Sequence, residues 1–101
     1  MTLKPGFEAE YERRHNPIWP ELETVLKEHG VSSYSIFLDR RTRQLFAYAE
    51  IDSESRWQAI AQTPVCGRWW VHMKELMLTN PDNSPLAVDL KEVFHIEKGK
   101  P

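Results

Sequence analysis

The chain has 101 residues, of which 41% are hydrophobic and 28% are charged, and its 13 Lys and Arg against 15 Asp and Glu leave a net charge of −2. This length and composition predict one globular domain over residues 1–101 rather than a disordered chain. The near-balance of charge argues against a nucleic-acid-binding protein, which usually carries a strongly basic face. No apolar run approaches the about 18 residues of a membrane span, and the polar amino terminus is unlike a signal peptide. We therefore expect a cytoplasmic protein that binds neither nucleic acid nor membrane.

The first periodic segment, residues 7–29, predicts an amphipathic helix that is broken in its middle. Its apolar residues recur with the helical period of about 3.6. They are Phe7, Tyr11, Ile18, Leu22, Val25 and Leu26. Pro17 disfavours the helical conformation at Asn16, whereas Pro20 fits the first turn of a new helix. We expect a break just after His15 and a second helix that begins at Pro20 and is closed by Gly30.

Two strand-like segments come next. Residues 33–38 alternate with period 2, and residues 45–51 form a second apolar run after the polar turn 39–43, which together predict a β-hairpin. Ser53 is placed to cap a short helix, Pro64 to begin a longer one, and residues 80–85 are typical of a rigid polar loop. Residues Leu90–Ile96 are the candidate for a last strand.

The order helix, strand, strand, helix, helix, strand predicts an α+β fold. One strand in front would complete the βαββαβ order of the ferredoxin-like plait, and only residues 1–4 remain to supply it. We expect a plait with a shortened first strand, either trimmed relative to its relatives or covered by a neighbouring chain. The aromatic content of 11% also favours a partner subunit, because some of these rings must line an interface or a pocket.

The densest group of chemically capable side chains lies around the break. Tyr11 and His15 are four residues apart and share a helical face. An imidazole exchanges protons near neutral pH, and a phenol orients a hydroxyl. Trp69 and Trp70 point about 100° apart on a helix, so one is expected inside and the other beside an open cavity. From spacing alone, purely structural roles are the more common outcome: a hydrogen bond to the broken helix end for His15, the core for Tyr11 and Tyr34, and the core or a dimer interface for the two tryptophans.

Patterns for a metal, a nucleotide cofactor or a disulfide are missing from the sequence. The four histidines lack metal-binding spacing, and the four glycines are not clustered as in a phosphate loop. Glu21 and Glu23, two residues apart, do not converge on one face of a helix. Cys66 is the single cysteine and is expected to be a buried small hydrophobe. We expect a protein that needs no cofactor and no metal.

Four motifs in order carry a resemblance to a known family. The segment from Glu10 reads EYERRHNPIWPEL, and it is followed by YSIFLD, VCGRWW and NPDNSP. In these motifs the chain closely resembles the L-rhamnose mutarotase family, and the resemblance extends from about Leu3 to Ile96. It implies a cofactor-free isomerase that interconverts the α and β anomers of L-rhamnose. It also implies a homodimer with the dimeric α+β-barrel version of the ferredoxin-like fold.

The same resemblance suggests roles for individual residues. His15 corresponds to the proton donor of the family. The corresponding substrate contacts are Tyr11, Tyr34, Trp69 and Trp70. The identity of the base stays open between water, a carboxylate and His15 itself, and family members carry a fuller first strand before the position of Leu3. Two other classes stay open: a dimeric α+β-barrel monooxygenase, cofactor-independent or haem-using, and a non-catalytic sugar-binding module.

Overall fold

The computed structural model describes residues 1–99, which form four α-helices, two strands and two 3₁₀ turns. In chain order the helices and strands are α1 (Glu8–Arg14), α2 (Pro20–Glu28), β1 (Val31–Asp39), β2 (Gln44–Ile51), α3 (Glu54–Ala59) and α4 (Pro64–Met73). The 3₁₀ turns are Ile60–Gln62 and Lys74–Leu76. The broken first helix, the hairpin and the two later helices are confirmed. None of the helices in this part of the chain is long and apolar enough to cross a membrane.

The helix ends follow local signals in the sequence. Pro20 and Pro64 each occupy the first turn of a helix, where a missing N–H costs nothing. The side chains of Ser53 and Thr63 cap α3 and α4 by accepting from the backbone N–H three residues further on. Gly30 follows α2 with a φ of +86°, a conformation that favours glycine. These local preferences explain why the chain changes direction where it does.

The hairpin has two faces of different character. Its inward face packs Leu38 and Leu45 into the main core beneath the helices. Its outward face carries the cross-strand pair Phe37 and Phe46 with Tyr48 nearby, and these three residues are 61%, 41% and 58% exposed. The outward face is therefore an aromatic surface that stays largely exposed.

The amino-terminal residues occupy the position of the first strand of the plait, but only a few of them pair with their neighbours. Thr2 forms a bridge with Gln44, and Leu3 forms one with Met77. The N–H of Leu3 donates to the carbonyl of Arg43 at 2.9 Å. The stub thus lies between β2 and the segment that follows α4. This agrees with the expected shortening of the first strand.

The prediction of a last strand at Leu90–Ile96 is wrong. The segment beside the stub is instead residues 77–79, where the N–H of Leu78 donates to the carbonyl of Thr2 at 3.0 Å. After the turn at residues 80–85, the N–H of Leu86 donates back to Leu78 at 3.0 Å. Residues 87–99, called here the C-terminal arm, then continue without regular secondary structure. An apolar segment becomes a strand only when its backbone pairs with a neighbouring strand, and residues 87–99 form no such pairing with the strands described in residues 1–99.

The core consists of two clusters of buried side chains. The main cluster joins α1, α2, α4 and β2 around residues such as Tyr11, Trp69 and Leu76. The smaller cluster consists of Val31, Ile60 and Cys66. The expectation that Cys66 is buried is confirmed, and burial raises the pKa of its thiol to about 11. The candidate site residues lie on and between these two clusters.

Candidate active site

The break in the first helix places His15 at the end of α1. His15 is the residue that follows the last helical residue, and its Nδ1 lies 2.9 Å from the carbonyl oxygen of Tyr11. Because a carbonyl oxygen only accepts, Nδ1 carries the hydrogen and donates it. The hydrogen bonds within residues 1–99 include none to Nε2. In the neutral ring, Nε2 therefore keeps a lone pair for a bound molecule.

Aromatic rings surround the imidazole of His15. The Tyr11 ring stacks on it with a centroid distance of 4.3 Å and an interplanar angle of 29°. Trp69 meets it edge-on at 5.1 Å and 90°. Trp19 contacts Trp69 at 5.0 Å and His72 at 5.1 Å. The result is a partly buried imidazole held in an aromatic cluster.

Burial lowers the pKa of His15 below its ordinary value of 6.5, and the hydrogen bond to Tyr11 opposes this effect more weakly. The neutral ring therefore predominates at neutral pH. The unfolded chain takes up a proton on this residue at a higher pH than the folded chain does. The contribution of neutral His15 to the free energy of unfolding is therefore fully present above a pH of about 6.5. It is lost as the pH falls through the lower pKa of the folded state.

Tyr11 on α1 and Tyr34 on β1 are close enough for their phenols to interact electrostatically. Burial raises the pKa of Tyr11, and the charge of a nearby Tyr34 phenolate raises it further. Burial also raises the pKa of Tyr34, although 39% of this residue is exposed. Both phenols stay protonated at neutral pH, so both are available as hydrogen-bond donors.

The adjacent tryptophans of α4 differ in their burial. Trp69 is 8% exposed and belongs to the main core cluster. Trp70 is half-buried and packs against both core clusters. The expectation that one of the two rings points inward is confirmed for Trp69. Trp57 also packs against the smaller cluster.

Three aromatic residues lie beside the predicted site residues without having been assigned to the site. Trp19 and His72 contact Trp69, and Trp57 lies 5.7 Å from Tyr34. Two of them had a usable signal: Trp19 lies between the prolines of the break, and His72 is three residues after Trp69 on the same face of a helix. Trp57 had none, because its contact joins two elements that are distant in sequence.

The five predicted site residues therefore come together from three elements. Tyr11, His15 and Trp69 are in direct contact, Tyr34 is near enough to Tyr11 for an electrostatic interaction, and Trp70 is the next residue after Trp69 on α4. Two surface depressions of about 460 and 630 Å³ lie elsewhere, one against α1 and one between α2 and α4, and neither contains any of the five. Since His15, Tyr34 and Trp70 keep part of their surface exposed, the site is accessible from solvent.

The fold and the site define a small α+β protein of the ferredoxin-like class with one imidazole set among aromatic rings, an arrangement suited to proton transfer. The family model for L-rhamnose mutarotase matches residues 1–96. The L-rhamnose mutarotase of Opitutus terrae is 62% identical over 97 residues, covering 96% of this chain and 93% of that protein. The one from Klebsiella pneumoniae is 58% identical over 96 residues, covering 95% and 92%. The chain belongs to the L-rhamnose mutarotase family.

A solved structure agrees with this assignment. The crystal structure of an L-rhamnose mutarotase from Formosa agariphila matches with a TM-score of 0.87 and 41% identity, covering 96% of this chain and 93% of that one. The expected ferredoxin-like α+β fold and the isomerase class are thereby confirmed. The family match favours a mutarotase over a monooxygenase or a sugar-binding module. The roles of the individual side chains stay predictions.

Proposed function

We propose that this protein interconverts the α and β anomers of L-rhamnose and that His15 moves the proton. The observation that carries this proposal is the fixed orientation of the imidazole. Nδ1 is held by the carbonyl of Tyr11, so the hydrogen-free Nε2 is the nitrogen left for substrate. Membership of the L-rhamnose mutarotase family supports the choice of sugar.

In the proposed reaction one imidazole serves both oxygens of the anomeric centre. Nε2 takes the proton of the anomeric hydroxyl, the bond from C1 to the ring oxygen breaks, and C1 becomes the carbonyl carbon of the aldehyde. The imidazolium then returns the proton to the former ring oxygen. Rotation about C1–C2 presents the other face of the aldehyde, and the reverse steps close the ring with no net gain or loss of protons.

The surroundings of His15 support a mechanism in which this one residue serves first as the base and then as the acid. Among residues 1–99, the ion pairs and hydrogen bonds of His15 include no carboxylate. The lowered pKa keeps the ring neutral and able to accept, and it makes the imidazolium a stronger acid once formed. A single positioned acid–base group typically supplies about 10²–10⁴-fold in rate. That range is useful for a reaction that already proceeds in water.

We assign sugar binding to the other four predicted residues. The protonated hydroxyls of Tyr11 and Tyr34 supply hydrogen-bond donors for sugar hydroxyls. The indoles of Trp69 and Trp70 supply apolar faces for the C–H side of a pyranose. The methyl group at C5 of L-rhamnose suits the same aromatic surface.

Replacement of Trp70 by alanine is expected to raise KM roughly tenfold and to change kcat less. The reason is the loss of an aromatic contact worth about 1.5 kcal/mol to the bound sugar. KM and kcat are measured by NMR exchange between the anomers. Val71→Ala is the control, because Val71 is the next residue on α4 and is 51% exposed. An unchanged KM, or loss of the native circular dichroism, would instead assign Trp70 to the core.

The pH dependence of kcat/KM is expected to show an acidic limb with its midpoint below 6.5. The reason is that burial lowers the pKa of His15, and the reaction begins with the neutral ring. The profile is measured from pH 4.5 to 8 after subtraction of the spontaneous rate at each pH. A flat profile across this range, or an activity that rises as the solution becomes more acidic, would contradict the assignment of His15 as the base.

The activity itself is tested by polarimetry of freshly dissolved α-L-rhamnose. We expect the approach to anomeric equilibrium to accelerate in proportion to protein concentration, with heat-denatured protein as the control. A time course that is the same with native protein, denatured protein and buffer would overturn the proposed function.

We also propose that the chain functions as a homodimer. Two apolar surfaces support this: the outward face of the hairpin and the C-terminal arm, in which Val88, Val93 and Phe94 are 81%, 86% and 77% exposed. Soluble monomers rarely leave a contiguous apolar patch of this kind in water. A twofold axis brings the same surface of two copies together, so a homodimer through either surface would remove it from water.

A further inference from the structure

The guanidinium of Arg14 joins the end of α1 to the end of α4. Its Nε donates to Glu10 on α1 at 2.6 Å, and its Nη1 donates to the carbonyl of His72 at 2.5 Å. Its Nη2 donates to Glu75 at 2.7 Å. All three nitrogens are thus occupied, and the side chain is only 15% exposed. The contact to the carbonyl of His72 places a cation in the last turn of α4, where the helix dipole favours it.

The neighbouring Arg13 lacks the contacts that Arg14 makes to the end of α4. Arg13 also bonds Glu10, at 2.7 and 2.5 Å, but its side chain is 72% exposed. Its side-chain bonds described in residues 1–99 stay within α1. The two arginines therefore share one acidic partner, and Arg14 is the one that reaches a second helix.

The link made by Arg14 lies directly beside the proposed catalytic group. His15 follows Arg14 in sequence. Because α1 ends at Arg14, the residues after His15 add no helical hydrogen bonds that would hold it in place. On α4, His72 is three residues after Trp69, whose ring meets His15 edge-on at 5.1 Å. The distance between the two helix ends therefore sets the distance between the imidazole and the indole.

We propose that Arg14 is a positioning residue that holds His15 against Trp69 by fastening the end of α1 to the end of α4. This inference rests on the proposed role of His15 in proton transfer. Displacement of a reacting group by about 1 Å can cost about 10²-fold in rate. Tyr11 and Trp69 contact His15 from the same two helices, so KM is expected to rise as well. Proton transfer depends more steeply on distance than ring contacts do, so the proposed effect falls on kcat more than on KM.

The kinetic test compares Arg14→Met with Arg13→Met. We expect kcat to fall roughly 10- to 100-fold in Arg14→Met, with a smaller rise in KM, and to stay near the wild-type value in Arg13→Met. Arg14→Lys restores a charge but not the three-way fork, so it is expected to recover part of the lost kcat. Equal kcat values in the two methionine variants, or a loss confined to KM, would overturn the proposal.

A structural readout separates this proposal from the proposed function. The ring protons of His15 are shifted by the stacked Tyr11 ring and the edge-on Trp69 ring, and NMR reports these shifts without any turnover. We expect Arg14→Met to move them toward their unfolded positions while Arg13→Met leaves them unchanged. Unchanged shifts in Arg14→Met would overturn the proposal even if wild-type activity is found.

Glu75→Gln is the milder variant for the case in which Arg14→Met fails to fold. Glu75 is 64% exposed, and its substitution removes the charge on only one of the partners of Arg14. We expect a smaller change of the His15 shifts and of kcat in the same direction. Wild-type values of both in Glu75→Gln, together with wild-type values in Arg14→Lys, would overturn the proposal.

Discussion

Replacement of His15 by glutamine is expected to slow the interconversion of L-rhamnose anomers by about 10²–10⁴-fold, close to the spontaneous rate. Glutamine has a side-chain N–H that can still donate to the carbonyl of Tyr11, so the end of α1 keeps a partner for that oxygen. It lacks a nitrogen that takes up and releases a proton near neutral pH. The rate is measured at equilibrium by saturation transfer between the anomeric protons, which needs no fresh crystalline anomer.

His29 provides a matched control for this variant. It also follows the end of a helix, and its Nδ1 lies 2.7 Å from the carbonyl of Val25, four residues earlier. The local geometry is thus the same as at His15, without the cluster of Tyr11 and Trp69. We expect His29→Gln to retain nearly the full rate. Near-wild-type exchange in His15→Gln, or an equal loss in both variants, would remove His15 from the mechanism.

Substitution of Phe37 by aspartate is expected to convert a dimer into a monomer. Phe37 is 61% exposed and pairs with Phe46 on the outward face of the hairpin. In a twofold assembly through this face, the substitution brings a carboxylate from each copy into an apolar interface, where an unpaired charge is strongly disfavoured. Light scattering after size exclusion measures the mass, and one chain is 11.9 kDa.

The control for the dimer is Val71→Asp. Val71 is 51% exposed on α4, away from the sheet face, so its substitution is expected to leave the mass at two chains. A wild-type mass of one chain would contradict the dimer. If Phe37→Asp stays dimeric, the interface does not lie on the outward face, and the C-terminal arm becomes the surface to test.

Much of the fold followed from local signals in the sequence. The two prolines fixed the break after His15 and the start of α2, because proline restricts its own backbone and that of the residue before it. Alternation predicted the first strand of the hairpin, and the apolar run after the polar turn predicted the second. The last strand was misplaced because pairing is set by distant residues: the stub at Thr2 and Leu3 lies beside residues 77–79, a segment too short to show a period.

The site was predictable where its contacts are local and not where they are distant. Tyr11 and His15 are four residues apart on one helix, and their stacking follows directly from the helical repeat. The contact between Tyr34 and Trp57 joins β1 to α3, and no spacing in the sequence predicts it. Spacing alone did not distinguish a site from a core. It was the resemblance to the L-rhamnose mutarotases that suggested a role for each residue.

The structure bears on the predicted homodimer but not on the predicted single domain or cytoplasmic location. The outward aromatic face and the C-terminal arm bear on the dimer alone, and they do so as exposed apolar surface. The other two stay predictions from composition and charge. Cell fractionation tests the location, and limited proteolysis of the full chain tests whether one cooperative unit spans residues 1–101.

The state of the His15 ring in solution tests the central claim most directly. NMR of protein labelled with ¹⁵N in its histidines reports which ring nitrogen carries the hydrogen at pH 7 and how each responds to L-rhamnose. We predict a neutral ring protonated on Nδ1, with the Nε2 resonance shifting as the sugar saturates its site. A hydrogen on Nε2 in the free protein, or an Nε2 signal unmoved by saturating sugar, would contradict proton transfer through His15.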